Sequence, residues 1–249
     1  MKGVMLKIDP DIEIVDLTHS VEPQNLIQAA LVLHSAYKYF PLNTIFLCVV
    51  DPGVGSNREP IIVKTSQHIF VGPDNGVFSQ VLRETGYEAI HRVTNENYFL
   101  NPISNTFHGR DIFAPVAAHI AKGVPLQEFG AQKDGYIVLT IPEAVLKDEE
   151  KKLYGEIIAI DRFGNLITNI EQEFVVDQSD HIRIHIKEHT IQGLADSYAQ
   201  RSEGDLLAII GSKGYLEISV NHGSAKKDLE VAIGEAVIVE YIIQKESHG

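Results

Sequence analysis

The pattern of apolar residues changes once along the chain, and this change limits the folds that the chain can adopt. Up to residue 141, short apolar runs alternate with stretches in which apolar residues recur at helical spacing. Such alternation is typical of an α/β domain with a mostly parallel, layered sheet. From residue 154 onward the runs are strand-like, are separated by turn residues and include little helix, which predicts an all-β domain, either a small barrel or a sandwich. The sequence therefore predicts two domains, at 1–141 and 154–249.

The segment between these domains, "PEAVLKDEEKKL" at 142–153, is charged and has little apolar content. We interpret it as a linker or an exposed connection. In the first domain, "EIVDLTH" (13–19) and "TIFLCVV" (44–50) are predicted strands, and "NLIQAALVLHSAYKYF" (25–40) between them is a predicted helix. The runs "PIIVKTS" and "HIFVGPDNG" are predicted to form a hairpin.

Composition excludes several classes of protein. The formal net charge of −13 argues against nucleic-acid binding, which depends on Lys and Arg against phosphate. No apolar run reaches the roughly 18 residues of a membrane span, so none is predicted. The single cysteine, Cys48, cannot form an internal disulfide, which favours a cytoplasmic location. Its place inside an apolar strand indicates a small buried side chain.

The loop "VVDPGVGSNR" (49–58) follows one of the predicted strands. It places Asp51 at the end of that strand and Arg58 seven residues later. Ligands of α/β sheets bind at the carboxyl ends of strands, so this acid is a candidate site residue. The loop is neither a Walker A motif nor a dinucleotide fingerprint, because the Lys-Ser/Thr and the third Gly are missing. Taken alone, it is equally compatible with a structural turn.

Two further polar loops precede predicted helices. "GPDNGVFS" (72–79) can form a turn and cap a helix, or can face a ligand with the helix N-terminus. In "NTFHGRDIFAPVAAH" (105–119), His108 precedes a helix and Asp111 lies in its first turn, where an acid complements the helix dipole. The simpler alternatives are that His108 is an ordinary loop histidine and that Arg110 pairs with Asp111.

The predicted β domain contributes a further polar cluster, "DRFGNLITN" (161–169), which concentrates Asp161, Asn165 and Asn169 around Phe163. An aromatic ring beside an amide suits a purine base, although a plain hairpin turn explains the same residues. The strand "HIRIHIKEH" (181–189) places two histidines on one face. No Cys or carboxylate accompanies them at ligand spacing, so we predict a solvated strand face and no metal site.

Five motifs occur in a fixed order along nearly the whole chain: "VVDPGVGSNR", "GPDNGVFS", "TFHGRDIFAPVAAH", "DRFGNLITNI" and "GYLEISVN". Together they resemble the S-adenosyl-L-methionine (SAM) hydroxide adenosyltransferase family, the adenosine-forming SAM hydrolases, which are related to fluorinating and chlorinating SAM enzymes. The resemblance implies an α/β domain followed by a β-barrel, and SAM as substrate without a cofactor or a metal. It also implies a homotrimer in which each active site lies between one subunit's N-terminal domain and a neighbour's C-terminal domain.

The resemblance also implies roles for individual residues. The family's catalytic group, which positions and activates water, matches Asp51, Arg58 and His108. The positions that line the substrate are matched by Asp161, Phe163, Asn165, Ser212, Lys213, Asn221 and His222.

Within this substrate-lining set, Asn165 is expected on the adenine edge, and Asn221 and the backbone of His222 beside the adenine. Ser212 and Lys213 match a Ser-Arg pair that holds the methionine carboxylate in the halogenating relatives. Lysine departs from that pattern, because a point charge replaces a bidentate fork.

Two alternatives to hydrolysis stay open. A SAM halogenase would use a halide in place of water, but an ionised carboxylate such as Asp51 would repel an anionic nucleophile. A SAM or adenosine sensor without catalysis would carry the same binding residues.

The first residues, "MKGVMLKI", place Met1, Val4, Met5 and Ile8 at helical spacing without an N-cap. Members of the family usually carry a strand and a "TDFG"-like motif upstream of this point. The expectation is that Met1 is an internal methionine of a longer protein, or that this form has lost part of its site. SAM binding would then be weak and turnover slow.

Overall fold

The computed structural model describes residues 1–242, so the last residues of the predicted β domain, 243–249, lie outside the described part. The chain forms two compact units, the first spanning Met1–Leu139 and the second beginning at Thr140. The helices of the first unit are α1 (Lys2–Ile8), α2 (Leu26–Ala36), α3 (Ser79–Thr85) and α4 (Ala114–Ala121). Its strands are β1 (Ile45–Leu47), β2 (Pro60–Lys64), β3 (Ile69–Pro73), β4 (Ala89–Arg92) and β5 (Gln132–Lys133).

The helices follow their sequence signals. The side chain of Asn25 caps α2 by accepting a 2.9 Å hydrogen bond from the backbone N–H of Gln28. Helix α3 ends at Gly86, whose φ of 65° suits glycine. Helix α1 forms as predicted and has no side-chain cap at Met1.

The five strands of the first unit form one mixed sheet with the order β1-β3-β2-β4-β5. The predicted hairpin is confirmed as β2 and β3. The parallel arrangement is only partly confirmed, because β1–β3 is parallel while β2–β3, β2–β4 and β4–β5 are antiparallel. The physical reason is connection length, since the short turn after β2 allows only an antiparallel return.

Helices cover both faces of this sheet. On one face, α2 and α3 pack on Ile61, Val63 and Phe70. On the other face, α4 packs on Ile62 and Val71. Neighbouring residues of one strand point to opposite faces, so β2 contributes to both cores.

Two segments differ from prediction. Residues 13–19, predicted as a strand, have no regular secondary structure, and within residues 1–242 no strand pairs with them. Val15 and Leu17 are exposed there, so the β-branched pattern alone did not create a strand. In the segment 142–153, read as a linker, residues 145–147 form an exposed strand, because the turn at 148–151 lets them pair with the next strand.

In its described part, up to residue 242, the second unit is an antiparallel, nearly closed, barrel-like sheet of eight strands. In chain order the strands are β6 (Val145–Lys147), β7 (Lys152–Ile160), β8 (Leu166–Glu171), β9 (Ile182–Ile186), β10 (His189–Gln192), β11 (Leu206–Ile210), β12 (Tyr215–Val220) and β13 (Ala236–Tyr241). The main path is β10-β9-β13-β7-β8-β12-β11, and β6 pairs with β7. A short helix, α5 (Ala225–Asp228), follows β12. The core is aliphatic and includes Leu153, Ile184, Leu216 and Val237.

None of the helices formed by residues 1–242 combines the length and the apolar character that crossing a bilayer requires. The strand histidine His185 contacts Thr190 and Glu240. Across the same described range, no three His, Cys, Asp or Glu side chains are grouped as metal ligands.

Candidate active site

Asp51 and Arg58 form a buried ion pair in the loop after β1. Nε of Arg58 donates to both carboxylate oxygens of Asp51, at 2.9 and 3.0 Å, and Nη2 donates to Oδ2. The two side chains are only 7% and 8% exposed. A fork of this kind fixes both the position and the plane of the carboxylate.

His108 joins the pair through the same guanidinium. Nη2 of Arg58 lies 2.8 Å from Nδ1 of His108. The guanidinium carbon also lies 5.1 Å from the ring centre of the fully buried Phe113, a cation–π distance. The three residues that the sequence proposed as a catalytic group are therefore in direct contact, with Arg58 in the middle.

The contact with Arg58 determines the tautomer of the His108 ring. Arginine can only donate, so Nδ1 must accept, and the proton of the neutral ring lies on Nε2. Burial and the neighbouring Arg58 lower the pKa of His108, whereas Asp51 and Asp111 act in the opposite direction. The geometry and the lowered pKa agree that His108 is neutral near pH 7 and presents Nε2–H.

The segment that carries His108 is held by a buried acid. Asp111 is fully buried, binds Arg110 at 2.6 and 3.0 Å, and accepts a 2.8 Å bond from the backbone N–H of Ser104. Asp111 therefore pairs with Arg110, which was the simpler interpretation of this motif in the sequence. Residues Gly109–Phe113 form a π-helical turn before α4, a distortion that is frequent at functional sites.

The polar side chains of the loop 72–79 hold the backbone near Asp51 in place through hydrogen bonds. Nδ2 of Asn75 donates to the carbonyl oxygen of Val50 at 2.8 Å, next to Asp51. Asp74 is buried, binds Nζ of Lys133 at 2.7 Å and accepts from the backbone N–H of Ile137 at 2.8 Å. These bonds account for the polar residues of the motif without a ligand. No motif of the sequence pointed to Lys133 as the partner of Asp74.

A second polar cluster lies at the turn between β7 and β8. Oδ1 of Asp161 accepts from the backbone N–H groups of Phe163 and Asn165 at 2.8 and 2.9 Å. Its Oδ2 accepts from Nδ2 of Asn165 at 2.9 Å. Phe163 stands at the tip, 62% exposed, with the guanidinium of Arg162 4.6 Å from its ring centre. The predicted hairpin turn is real, and it presents an exposed aromatic ring beside an amide.

Asp161 also lines a cavity of about 80 Å³ with Ser212 and Lys213. The structure therefore brings these three predicted residues together. Asn221 is held elsewhere, because its Nδ2 donates to the carbonyl oxygen of Arg201 at 2.7 Å, and His222 is exposed.

Sequence reasoning missed one acid of this cavity, Glu217. In "GYLEISV", the apolar residues Leu216 and Ile218 alternate with Glu217 and Ser219 along β12. An acid inside a strand whose residues are nearly all buried was the signal that could have found it.

Comparisons with known proteins identify the family of this chain. The model of the SAM hydroxide adenosyltransferase N-terminal domain matches residues 1–130, and that of the C-terminal domain matches residues 155–238. The chain belongs to the SAM hydroxide adenosyltransferase family.

Individual relatives span nearly the whole chain. The (R)-S-adenosyl-L-methionine hydrolase of Methanocaldococcus jannaschii is 36% identical over 97% of this chain and 89% of its own length. A fluorinase from Actinopolyspora mzabensis is 27% identical over 96% of this chain and 90% of its own. The crystal structure of an uncharacterized conserved protein from Thermotoga maritima superposes with a TM-score of 0.86 at 40% identity, covering 96% and 93% of the two chains.

Proposed function

We propose that this protein hydrolyses SAM to adenosine and L-methionine, with water attacking C5′ of the ribose. The observation that carries the proposal is the single guanidinium that holds Asp51 and His108 together in a buried group. The relatives named as SAM hydrolases support it. A cytoplasmic location, favoured by the lone Cys48, belongs to the same proposal.

SAM hydrolysis requires activation of the nucleophile, water, whereas the leaving group departs without assistance. The C5′–S bond breaks with both electrons going to sulfur, which leaves as a neutral thioether. The C5′–O bond forms from water, which is a poor nucleophile until a base accepts its proton. The group around Arg58 therefore has one task, which is to position and deprotonate water.

Asp51 is the better acceptor for that proton. Nδ1 of His108 is occupied by Arg58, and its Nε2 already carries a proton, so the neutral ring can only donate to water. A carboxylate has about four acceptor positions, and Arg58 does not use them all. In this proposal His108 orients the water, Asp51 accepts the proton, and Arg58 fixes both.

In the second unit, the proposed substrate contacts follow the same chemistry. The exposed ring of Phe163 offers a stacking surface for adenine, with Asn165 beside it to bind the purine edge. Ser212 and Lys213 face the methionine carboxylate, and Asn221 and the His222 backbone lie on the adenine side.

We further propose a homotrimer in which the two clusters of one site come from neighbouring subunits. The test mixes Asp51→Asn chains with Asp161→Asn chains, each nearly inactive alone, after unfolding and joint refolding. Sites shared between subunits regain part of the wild-type activity in the mixture. Sites within one chain regain none.

The reaction itself is tested with SAM in ¹⁸O-labelled water, with the nucleoside analysed by mass spectrometry. Label in the 5′-hydroxyl of adenosine supports hydrolysis. A 5′-halogenated nucleoside formed with added chloride supports a halogenase, and intact SAM supports a sensor without catalysis.

Acid pH is expected to inactivate the enzyme through His108. The pKa of His108 lies below its ordinary value of 6.5, so the ring is neutral at pH 7 and gains a proton only as the pH falls below 6.5. A protonated Nδ1 would point a donor at the Arg58 donor and break the bridge. We expect kcat/KM to be constant near neutral pH and to fall with an apparent pKa below 6.5. The stability that the neutral ring provides is lost in the same direction.

Two histidine variants test this assignment. In His108→Asn the fall of the residual activity at acid pH should move to lower pH, because the imidazole whose protonation breaks the bridge is gone. His119→Asn is the matched control, since burial also lowers the pKa of His119. Its activity should fall at the same acid pH as that of the wild type. A fall at that same pH in His108→Asn would contradict the role of this ring.

Asn165→Ala is expected to raise KM for SAM more than it lowers kcat. The amide would bind the purine away from C5′, so its contact is similar in the ground and transition states. A hydrogen bond of this kind contributes about 0.5–1.5 kcal/mol, or roughly two- to tenfold in KM. Steady-state kinetics measure both constants.

The matched control is Asn169→Ala, in β8, the strand that begins directly after Asn165. Its amide bonds the carbonyl of Pro142 and the N–H of Glu156, so its loss should lower stability without changing KM selectively. A collapsed kcat with unchanged KM in Asn165→Ala would contradict the assignment.

A further inference from the structure

Lys133 connects two loops of the first unit that flank the proposed catalytic group. Its Nζ donates to Oε2 of Glu59 at 2.6 Å and to Oδ2 of Asp74 at 2.7 Å. Only 13% of the Lys133 side chain and 5% of the Asp74 side chain are exposed. Lys133 lies in β5 at one edge of the sheet, whereas Asp51 follows β1 at the other edge. The ammonium therefore reaches groups near the site from the opposite edge of the sheet.

Glu59 brings the first of these contacts next to Arg58, the residue before it in the chain. The carbonyl oxygen of Glu59 accepts from the backbone N–H of Asp74 at 2.8 Å, which joins the two loops. Oε1 of Glu59 binds Nε of Arg92 at 2.8 Å, but Arg92 is half-exposed, so Lys133 supplies the buried contact. The backbone from which the Arg58 side chain extends is thus held at its next residue.

Asp74 carries the second contact toward Asp51. The residue after Asp74 is Asn75, whose Nδ2 donates to the carbonyl oxygen of Val50 at 2.8 Å. Val50 directly precedes Asp51 in the chain. Oδ1 of Asp74 accepts from the backbone N–H of Ile137 at 2.8 Å, so both oxygens of this carboxylate are held. The same ammonium is therefore linked to the backbone beside each member of the buried ion pair.

The stability of the fold does not by itself account for the buried Lys133–Asp74 pair. Removing two charges from water costs about as much as their attraction returns, so a well-packed apolar pair is generally as stable. A buried ion pair does restrict geometry, because each charge requires its partner at hydrogen-bond distance. The position of this pair, between the two loops of the site, indicates what that restriction serves.

We propose that Lys133 is a positioning residue for the catalytic group and acts through the carboxylates of Glu59 and Asp74. Its ammonium holds the backbone beside Arg58 and beside Asp51, so that the two side chains meet in a fixed geometry. Its role in catalysis rests on SAM hydrolysis being the reaction of this protein. Without the ammonium, the two loops can separate, and the geometry that activates water is populated for less of the time.

Lys133→Met tests this role, because methionine fills a similar volume and carries no charge. Burial and the neighbouring Arg58 lower the pKa of His108, so a guanidinium that moves away lets this pKa rise toward its ordinary 6.5. Asp51 and Asp111 oppose the lowering, but their effects are the smaller ones. We therefore expect a higher pKa of His108 in this variant than in the wild type.

The titration of His108 is followed by NMR of the imidazole signals in the full chain without SAM, and His108→Asn identifies the signal. Kinetics with SAM give the second readout. We expect kcat to fall roughly ten- to hundredfold in Lys133→Met, the usual cost of displacing a catalytic group, while KM changes little. A residue that only stabilises the fold would lower Tm and leave both the pKa and the kcat of the folded protein unchanged.

Lys64→Met is the matched control, because Lys64 pairs with Glu88 at 2.9 Å on the exposed surface of the same unit. It should change neither the histidine pKa nor kcat. The double variant Lys133→Met/Asp74→Asn provides the measurement if Lys133→Met does not fold. It removes the carboxylate charge left without a partner and keeps an oxygen for the N–H of Ile137. The same rise in the histidine pKa and the same loss of kcat are expected in it.

The outcomes separate this proposal from that of hydrolysis. Wild-type values of the His108 pKa and of kcat in folded Lys133→Met or in the double variant would overturn the positioning role, whatever the change in Tm. Adenosine release by the wild type, together with that result, would leave the hydrolase standing. A raised His108 pKa in Lys133→Met, in a protein that releases no adenosine from SAM, would support the positioning of this group and reject the hydrolase.

Discussion

Replacing Asp51 by asparagine is expected to slow SAM hydrolysis by about 10²–10⁴-fold, the usual cost of losing a general base. The amide keeps the size of the carboxylate and one oxygen for Arg58, but it cannot take a proton from water. SAM contacts Asp51 only through that water in the proposed mechanism, so the dissociation constant should change little. Single-turnover kinetics and calorimetry measure the two quantities separately.

Asp134→Asn is the matched control, because Asp134 is an exposed acid of the same unit. It should leave both turnover and binding at wild-type values. Turnover near the wild-type rate in Asp51→Asn would exclude Asp51 as the base and would leave the proton to another group.

Replacing Arg58 by methionine is expected to lower the free energy of unfolding by about 3–5 kcal/mol, the cost of breaking a buried ion pair. The variant leaves the carboxylate of Asp51 buried without its partner, and methionine restores packing on Phe113 but no charge. Urea denaturation measures the change. Turnover should be lost as well, because Asp51 and His108 are no longer fixed.

The double variant Arg58→Met/Asp51→Asn gives the sharper test. It removes the unpaired charge, so it should be more stable than Arg58→Met alone. Arg92→Met is the matched control, since Arg92 and its partner Glu59 are 49% and 36% exposed and such pairs contribute about 0–1 kcal/mol. A double variant less stable than the single one would contradict the account of the buried pair.

The catalytic group illustrates what a sequence can predict. Asp51, Arg58 and His108 are separated by up to 57 positions in the chain, and no spacing rule joins them. Their contact was predictable because five ordered motifs resemble one family. The position of Arg58 between the other two residues could be recognised only from interatomic distances in the structure. The same holds for the tautomer of His108, which follows from that position.

The sheet of the first unit shows the limit of pattern reading. Alternating strands and helices predicted an α/β unit, and the unit is a mixed α/β fold. The direction of the strands was only partly predicted, because it depends on which neighbours pair, and periodicity does not encode this. Residues 13–19 had the right composition for a strand, but no strand within residues 1–242 pairs with them. Lys133 and Glu217 act through contacts distant in sequence, with Asp74 in one case and Tyr198 in the other.

The bond from Asn75 to the carbonyl of Val50 has a consequence for the energetics of catalysis. Together with Gly55, where an added Cβ would lie 2.6 Å from the carbonyl oxygen of Asn105, it fixes the chain on both sides of Asp51. The carboxylate is therefore preorganised, and the entropy of ordering this loop is lost during folding and not in each catalytic cycle. An enzyme built in this way reaches its transition state with little reorganisation of its own groups. Its rate then depends on how well SAM and water fit the preorganised site.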